Sequence, residues 1–539
     1  MIKKKKQILY KNAWLKIYDQ PILYFPKFFH PDPTVKRQSG FLVPAFKDST
    51  NFGTSLTVPY YKVIAENIDL TFKPRIYNPN DSIIQTEYRH KTKKSEHILD
   101  FSVSNLDQTK SHIFAESLID LDLDYFEASM LEFNLEQTSN NSYLKNFKLK
   151  SPLIKNTTNL KSNIKFSALT SDLDFEVSME VYENLNKEDT DKYEYVFPNF
   201  NFSKLLNIPD EYFGQLEFSS RGYSKLYNTN NKDNVLVNDF NFNSFKKMNS
   251  LGLQSNYKFI LKNLNTSSKN SSKYEDKFQN GLASAFMYEL EYPLKKKSVK
   301  GTNYLSPKLQ ARISPSNTTN INHEDIGITV DNIFSFNRIG NSNSLEGGES
   351  LTLGTEYIFQ DKNDETIANF NLASVFRAKE NDDLPYKSGI GNTRSDIIGK
   401  INLTPNEHFK FNYDFSIDNN FDRSNYDSIT TEFSVNNFVT SFEYLNEDNE
   451  INQLGHLSNK TSYNFDNKNS LSFSTRRNRK LNLTEFYNLI YEYQNDCLTA
   501  SIEYNKEYYS DVGLKPEEQL FFSITIVPFG KTNSPNLNK

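Results

Sequence analysis

The chain has 539 residues, enough for several ordinary domains or one very large one. Its formal net charge is −5 with both signs mixed along the chain, so no basic domain points to nucleic acid, and its single cysteine, Cys497, excludes a disulfide within the chain. Only 37% of residues are hydrophobic and mean hydropathy is −0.66, yet 43 Phe and 32 Tyr raise the aromatic share to 14%, which excludes a disordered chain.

The opening, MIKKKKQILYKNAWLKIYD, is basic. It lacks the apolar centre of a signal peptide, because Lys11, Asn12 and Lys16 interrupt it. Lys3 to Lys6 read as a solvated strand end. Next comes LYFPKFFHPDPTVKRQSGFLVPAF, Leu23 to Phe46, in which Pro26, Pro31, Pro33 and Pro44 follow Pro21 among aromatic residues suited to strands. Proline cannot donate to a ladder and is kept out of central strands. Pro31 and Pro33, in HPDP, read as a stiff linker. Pro44 in GFLVPAF and Pro59 in LTVPYY sit inside runs that otherwise read as strands. His30, Asp32 and Ser39 lie close in sequence, but no nucleophile elbow or oxyanion signature accompanies them, so no catalysis is expected.

From there alternation dominates. IDLDLDYF sets Ile119, Leu121 and Leu123 against Asp120, Asp122 and Asp124. LTLGTEYIF repeats the period with Leu351, Leu353, Tyr357 and Phe359. HFKFNYDFSID places Phe409, Phe411, Tyr413, Phe415 and Ile417 on one face and Lys410, Asn412, Asp414, Ser416 and Asp418 on the other. LTASIEYNKEYY continues it with Leu498, Ala500, Ile502, Tyr504 and Tyr508. Period 2 is a strand with one apolar and one polar face. Between these runs NLNKEDTDK, NTNNKDN, NTSSKNSSK and NEDNEIN have the composition of turns and loops.

Asp120, Asp122 and Asp124 suggest calcium only at first sight: a calcium loop needs Gly at its sixth position and Glu at its twelfth, where Tyr125 and Leu131 stand. They read instead as the polar side of a strand. SGIGNTR, Ser388 to Arg394, has two glycines and no third, so it is no dinucleotide loop. Lys295 to Lys297 read as a solvated turn. No metal or cofactor is called for.

Two architectures give so many strands. Soluble sandwiches bury the apolar face in a core, whereas a closed membrane barrel turns it to lipid around a polar lumen. The barrel accounts for low hydropathy beside abundant Phe and Tyr, which form interfacial girdles. At about 19 residues per strand and connection, the stretch after Gly40 holds roughly 26 strands.

The segment from Lys11 to Tyr61 resembles the junction of jelly roll and barrel in the LptD family, the outer-membrane lipopolysaccharide-assembly proteins also called organic-solvent-tolerance proteins. NIDLTFKPRIY (Asn67 to Tyr77) and TEYRH (Thr86 to His90) are similar to that family's next strands. YLSPKLQARISP (Tyr304 to Pro315) and NIFSFNRIGNSNSLEGGESLTLGTEY (Asn332 to Tyr357) resemble its middle block, in which Asn337 with Arg338 and Glu346 with Gly347 are typical. YQNDCLTASIEYNKEYY and KPEEQLFFSITIVPFG resemble its last strands.

The resemblance implies an all-β protein: a large antiparallel transmembrane β-barrel of roughly 26 strands over residues 39–530, preceded in residues 1–38 by the last strands of a periplasmic β-jelly roll and a linker, and followed by a tail over 531–539. It implies that most of the jelly roll and the signal peptide are missing, with Met1 an internal start or fragment boundary. The implied function is non-enzymatic: lipopolysaccharide crosses the lumen and enters the outer leaflet of the outer membrane through a lateral gate. The gate residues implied are Pro44, Pro59 and Pro528. Cys497 is implied to be bridged to the missing domain, although relatives often carry two adjacent cysteines where this chain has Cys497 and Leu498. The implied partners are an LptE-type lipoprotein plug and the periplasmic lipopolysaccharide bridge. The alternatives are another outer-membrane barrel (a porin or plugged nutrient transporter) and a soluble β-rich surface binding protein.

Overall fold

The computed structural model describes residues 7–526 apart from 18–19, 32–36, 43, 107, 188–190, 228, 272, 449–452, 495–497 and 509–515. An antiparallel pair of strands, Gln7–Ile17 and Gln20–Pro31, comes first. All other strands join one closed antiparallel barrel of 26 staves. Each stave pairs with its neighbours in sequence, and the last strand, Glu517–Ile526, returns to pair with Ala45–Ser49. Four staves are built in two pieces, among them the first (Gly40–Phe41, then Ala45–Ser49) and the second (Ser55–Thr57, then Tyr60–Ala65).

The faces decide between sandwich and membrane barrel. On Ser95–Ser104 the buried residues are Asp100, Ser102 and Ser104, while Leu99 and Phe101 are exposed. On Gln254–Lys269, Asn256, Lys262 and Thr266 are buried while Tyr257 and Phe259 are exposed. Polar residues inside and aromatic residues outside invert a soluble core. That is the pattern of a lipid-facing wall around a polar lumen.

Several strands outrun their apolar stretch. Gln254–Lys269 has 16 residues, beyond the roughly 9–11 that span a bilayer. Its end takes in NTSSK of NTSSKNSSK, and Lys232–Ser244 takes in KDN of NTNNKDN, so these parts of the polar clusters are strand ends standing in water rather than loops. The opposite correction applies to IDLDLDYF. The strand Lys110–Asp120 stops at Asp120; the Asp122 N–H donates to the Asp120 carboxylate at 3.0 Å, and Asp122 has φ 48°. Alternation continues past the point where the backbone turns, and Lys94 pairs with Asp122 at 2.5 Å in that exposed turn.

The two rims differ. At the rim holding both ends of the barrel the connections are short: 66–67, 299–300, 407–408 and 436–437 join strands directly. The long connections, 139–158, 315–347 and 378–396, all lie at the other rim. In outer-membrane barrels short turns face the periplasm and long loops face outward.

Ile164 stands mid-strand on the outer face, 47% exposed, whereas Asn412 stands on the lumen face of Phe409–Ile417. Ile164→Arg is expected to destabilise the barrel by about 2–4 kcal/mol and Asn412→Arg by little. Urea unfolding in vesicles measures both, and equal costs would count against a lipid-facing outer wall.

Candidate functional site

The ladder is uneven around the barrel. Gly214–Tyr227 and Lys232–Ser244 share thirteen registered pairs, and the last strand shares ten with Leu498–Glu507. Across the seam to the first stave there are five among the described residues, Gln519↔Ser49 to Ser523↔Ala45. Among the described residues, Ile524 to Ile526 have no partner across it. The outer end of the seam is secured: Ser49 Oγ donates to Glu517 Oε1 at 2.6 Å, and the Thr50 N–H donates to the Glu518 carbonyl at 3.0 Å. The weak end faces the rim that holds the chain ends.

Pro44 and Pro59 sit at that weak end. Each lies in the break of a two-piece stave, Pro44 exposed and Pro59 half-buried. The register between these staves shifts by one across the breaks, from Phe41↔Tyr60 to Ala45↔Thr57, and one backbone bond bridges them, from the Leu42 N–H to the Pro59 carbonyl at 2.8 Å. Pro74 on the third stave, which sequence reasoning passed over, accepts from the Val58 N–H at 3.2 Å. Three neighbouring staves therefore each lack a donor near one level. Proline alone does not cause such a break: Pro307 lies within the continuous strand Gly301–Ser314 and pairs with Thr355. Pro528 and Cys497 lie outside the described residues, as do Pro33, Asp32 and Lys3 to Lys6.

Behind the seam a long connection folds inward. Residues 139–158 carry the short helix Tyr143–Phe147, whose Tyr143, Leu144 and Phe147 pack with Ile83, Phe114 and Leu160. This strap reaches both flanks of the seam. Arg75 donates to the Phe147 carbonyl at 2.8 Å, and Phe52 meets Phe147 with centroids 5.0 Å apart. On the other flank Lys148 pairs with Glu507 at 2.6 Å and lies 3.8 Å from Glu517, while Lys150 Nζ sits 5.1 Å over the Phe521 ring.

The strap also rests on a Ser–His–Asp arrangement absent from the sequence reading. Ser102 Oγ is 2.6 Å from His112 Nδ1, and His112 Nε2 is 3.3 Å from Asp100. All three are buried, and the Tyr143 hydroxyl sits 2.7 Å from Ser102. Burial pushes the Tyr143 hydroxyl up to about 12, so it stays protonated. With Ser102 capped in this way the trio anchors the strap. Of the earlier trio, Ser39 Oγ accepts the Val63 N–H at 2.8 Å, His30 pairs along the backbone with Ile8 in the leading strands, and Asp32 lies outside the described residues. Lys295 to Lys297 form an exposed strand, Leu294–Ser298, instead of a turn. In SGIGNTR, Ser388 and Gly389 adopt positive φ, and the Ser388 hydroxyl accepts the Ile328 N–H at 3.0 Å. Among the described residues no group of three or more His, Cys, Asp or Glu is placed to hold a metal ion.

The second inward loop, 315–347, is held by one carboxylate. Glu346 receives Arg338 through Nε at 2.7 Å and Nη2 at 2.5 Å, and Arg377 Nη1 at 2.5 Å, with Arg312 Nε at 3.9 Å. All four residues are buried. Burial raises the Glu346 carboxyl, but the three guanidinium groups outweigh it and hold the group below the usual carboxylate range. Gly347 follows because a Cβ there would lie 2.2 Å from the Ser316 carbonyl oxygen. The loop also crosses to distant staves: the Ser342 carbonyl accepts from Arg221 at 2.7 Å and Lys262 at 3.0 Å.

Glu346→Gln leaves three buried guanidinium groups without a counter-charge and is expected to cost about 3–5 kcal/mol. Urea midpoints and protease cleavage within 315–347 measure this. The folded pKa of Glu346 lies below its unfolded value of 4.5, so its stabilisation is complete above 4.5 and is lost as pH falls through the folded value. The difference between wild type and Glu346→Gln should therefore persist at about pH 5 and narrow only in stronger acid.

A family model described as LptD, LPS transport system D, matches residues 120–468. The LPS-assembly protein LptD of Pseudoalteromonas translucida is 38% identical over 98 residues, 18% of this chain and 13% of that protein. The LPS-assembly protein LptD of Pseudomonas entomophila is 40% identical over 85 residues, 16% of this chain and 9% of that protein. These matches thus span a small part of the relatives' length. Among solved structures, the siderophore receptor PiuA of Acinetobacter baumannii aligns at 9% identity and a TM-score of 0.33, over 92% of this chain and 82% of that one. With the family model covering well over half of the chain and a closed barrel of 26 staves beneath it, the chain belongs to the LptD family and is an outer-membrane β-barrel.

Proposed function

We propose that this barrel passes lipopolysaccharide through its lumen and inserts it into the outer leaflet by opening the seam between its first and last staves. The move needs no chemical conversion. The observation that carries the reading is the seam itself: among the described residues, five registered pairs, zipped at the outer rim and with no partner across it for Ile524 to Ile526, beside staves broken at Pro44 and Pro59. A net backbone hydrogen bond is worth about 1 kcal/mol, so a few missing donors leave the wall thinly paired on both sides of the first stave. A porin fits less well, because two long connections fold back into the lumen and form buried clusters there.

In this reading residues 1–38 end a periplasmic jelly roll that receives the lipid from a periplasmic bridge, residues 39–530 form the barrel, and Cys497 ties the two by a disulfide. Pro528 would complete the gate on the last strand. A lipoprotein plug of the LptE type is supported by where the apolar packing ends: among the described residues, none beyond Ile398 enters a buried apolar cluster formed with the inward loops, and the wall there is reached through polar contacts such as Lys387 to Glu447.

Ala45 and Ser523 are register partners across the seam. Opposed strand residues lie about 4.5–5.5 Å apart at Cα, within disulfide reach. Ala45→Cys with Ser523→Cys is expected to stop the appearance of new lipopolysaccharide at the cell surface when oxidised and to restore it on reduction. Export that continues through the oxidised lock would remove the gate reading. Pro44→Ala with Pro59→Ala should tighten the seam by up to about 2 kcal/mol and slow export by up to about thirtyfold. Unchanged surface lipopolysaccharide would count against those two prolines.

A further inference from the structure

A cavity of about 310 Å³ lies directly behind the seam. Its walls come from both flanks: Lys47, Lys73 and Arg75 from the first and third staves, Gln519 and Phe521 from the last, and Lys148 and Lys150 from the strap. Five cations and one carboxylate, Glu503, line it, in a chain whose net charge is −5. Glu503 is engaged elsewhere, accepting from Asn488 at 2.7 Å. Lys73 is paired with Glu87 at 2.9 Å and Lys148 with Glu507 at 2.6 Å. Among the described residues no carboxylate lies within 4.0 Å of Lys47, Arg75 or Lys150. Arg75 donates one bond to a carbonyl, that of Phe147, and Lys150 rests over an aromatic ring.

Cations gathered in a partly closed cavity repel one another, and an anion that enters relieves this through charge-assisted hydrogen bonds. Three cations without carboxylates, one of them a guanidinium, suit a phosphoryl dianion better than a single carboxylate. The cavity is also placed for transfer, since one wall is the last strand and another is the first stave. We propose that it is a docking station for a phosphoryl group carried by the transported glycolipid, holding the headgroup at the inner mouth of the seam. This rests on the reading of the barrel as a lipopolysaccharide exporter and adds the group recognised and the residues that recognise it.

The test uses native full-length protein purified from outer membranes in detergent. The probes are labelled lipopolysaccharide, the same lipid after enzymatic dephosphorylation, and inorganic phosphate. Lys47→Gln with Lys150→Gln is expected to weaken binding of the phosphorylated lipid by about tenfold or more. The dephosphorylated lipid should bind wild type weakly and be indifferent to the substitutions. Lys47→Arg with Lys150→Arg should retain binding, and Lys295→Gln, on an exposed strand away from the cavity, should bind as wild type. Heat-modifiable gel mobility confirms that each variant is a closed barrel. Wild-type protein that binds both lipid forms alike, with no loss in the Gln variant, would overturn this inference and leave the exporter reading intact. Phosphate binding that is lost in the Gln variant while lipid binding is unchanged would mark a free-anion site and overturn the assignment to the lipid. Wild-type protein that binds neither lipid would overturn both readings.

Discussion

Backbone hydrogen bonding governs this structure. In hydrocarbon no water is available to an unpaired N–H or C=O, so a spanning chain must satisfy each of them within itself. A closed antiparallel ladder does so, and around most of the wall the registers run nearly unbroken. The shortest ladders flank the first stave, which shares five registered pairs with the last strand and five with the second stave among the described residues. A backbone group left without a partner in hydrocarbon costs more than in water. The wall is well paired over most of its circuit and thinly paired on both sides of its first stave.

The lumen obeys the opposite rule. Its wall is polar, so the inward loops are held by charge and hydrogen bonding as much as by apolar packing. Glu346 anchors one loop through three arginines, and the strap is anchored by Lys148 and by the buried Tyr143 hydroxyl. Buried ion networks of this sort contribute little net stability over apolar packing, but they fail sharply when one member is removed. They fix where a loop sits. Two such loops back the wall from inside, one behind the seam and the other against Ala373, Val375 and Ile398.

Much of the wall was legible in the sequence, because period 2 with aromatic residues on one face has few other meanings. Phe409 to Ile417 is an example that the structure reproduces residue for residue. Legibility failed where the pattern and the backbone part company. IDLDLDYF alternates past its strand because a tight turn at Asp122 needs no change of composition. NTSS and KDN look like loops because strand ends above the bilayer are polar on both faces. The inward loops were invisible for a similar reason: Asn- and Ser-rich connections read alike whether they hang in water or fold into a polar lumen. Arg338 and Glu346 stood out only by resemblance to a family, and their partnership with Arg312 and Arg377 depends on contacts between distant strands. Pro74 was passed over because its own strand is continuous.

The strap has a consequence for how the molecule is made. Lys148 lies 359 residues before Glu507, its partner, and Ser49 lies 468 before Glu517. Contacts of such separation form last, since the ends of the longest loop must meet before anything rewards their meeting. The strap stands after the seventh stave, with its cations set inside the growing wall well before the final two strands exist. It therefore serves as a template that the arriving carboxylates of Glu507 and Glu517 recognise, so register at the closing joint is set by side chains on a third element and not by the two strands that join.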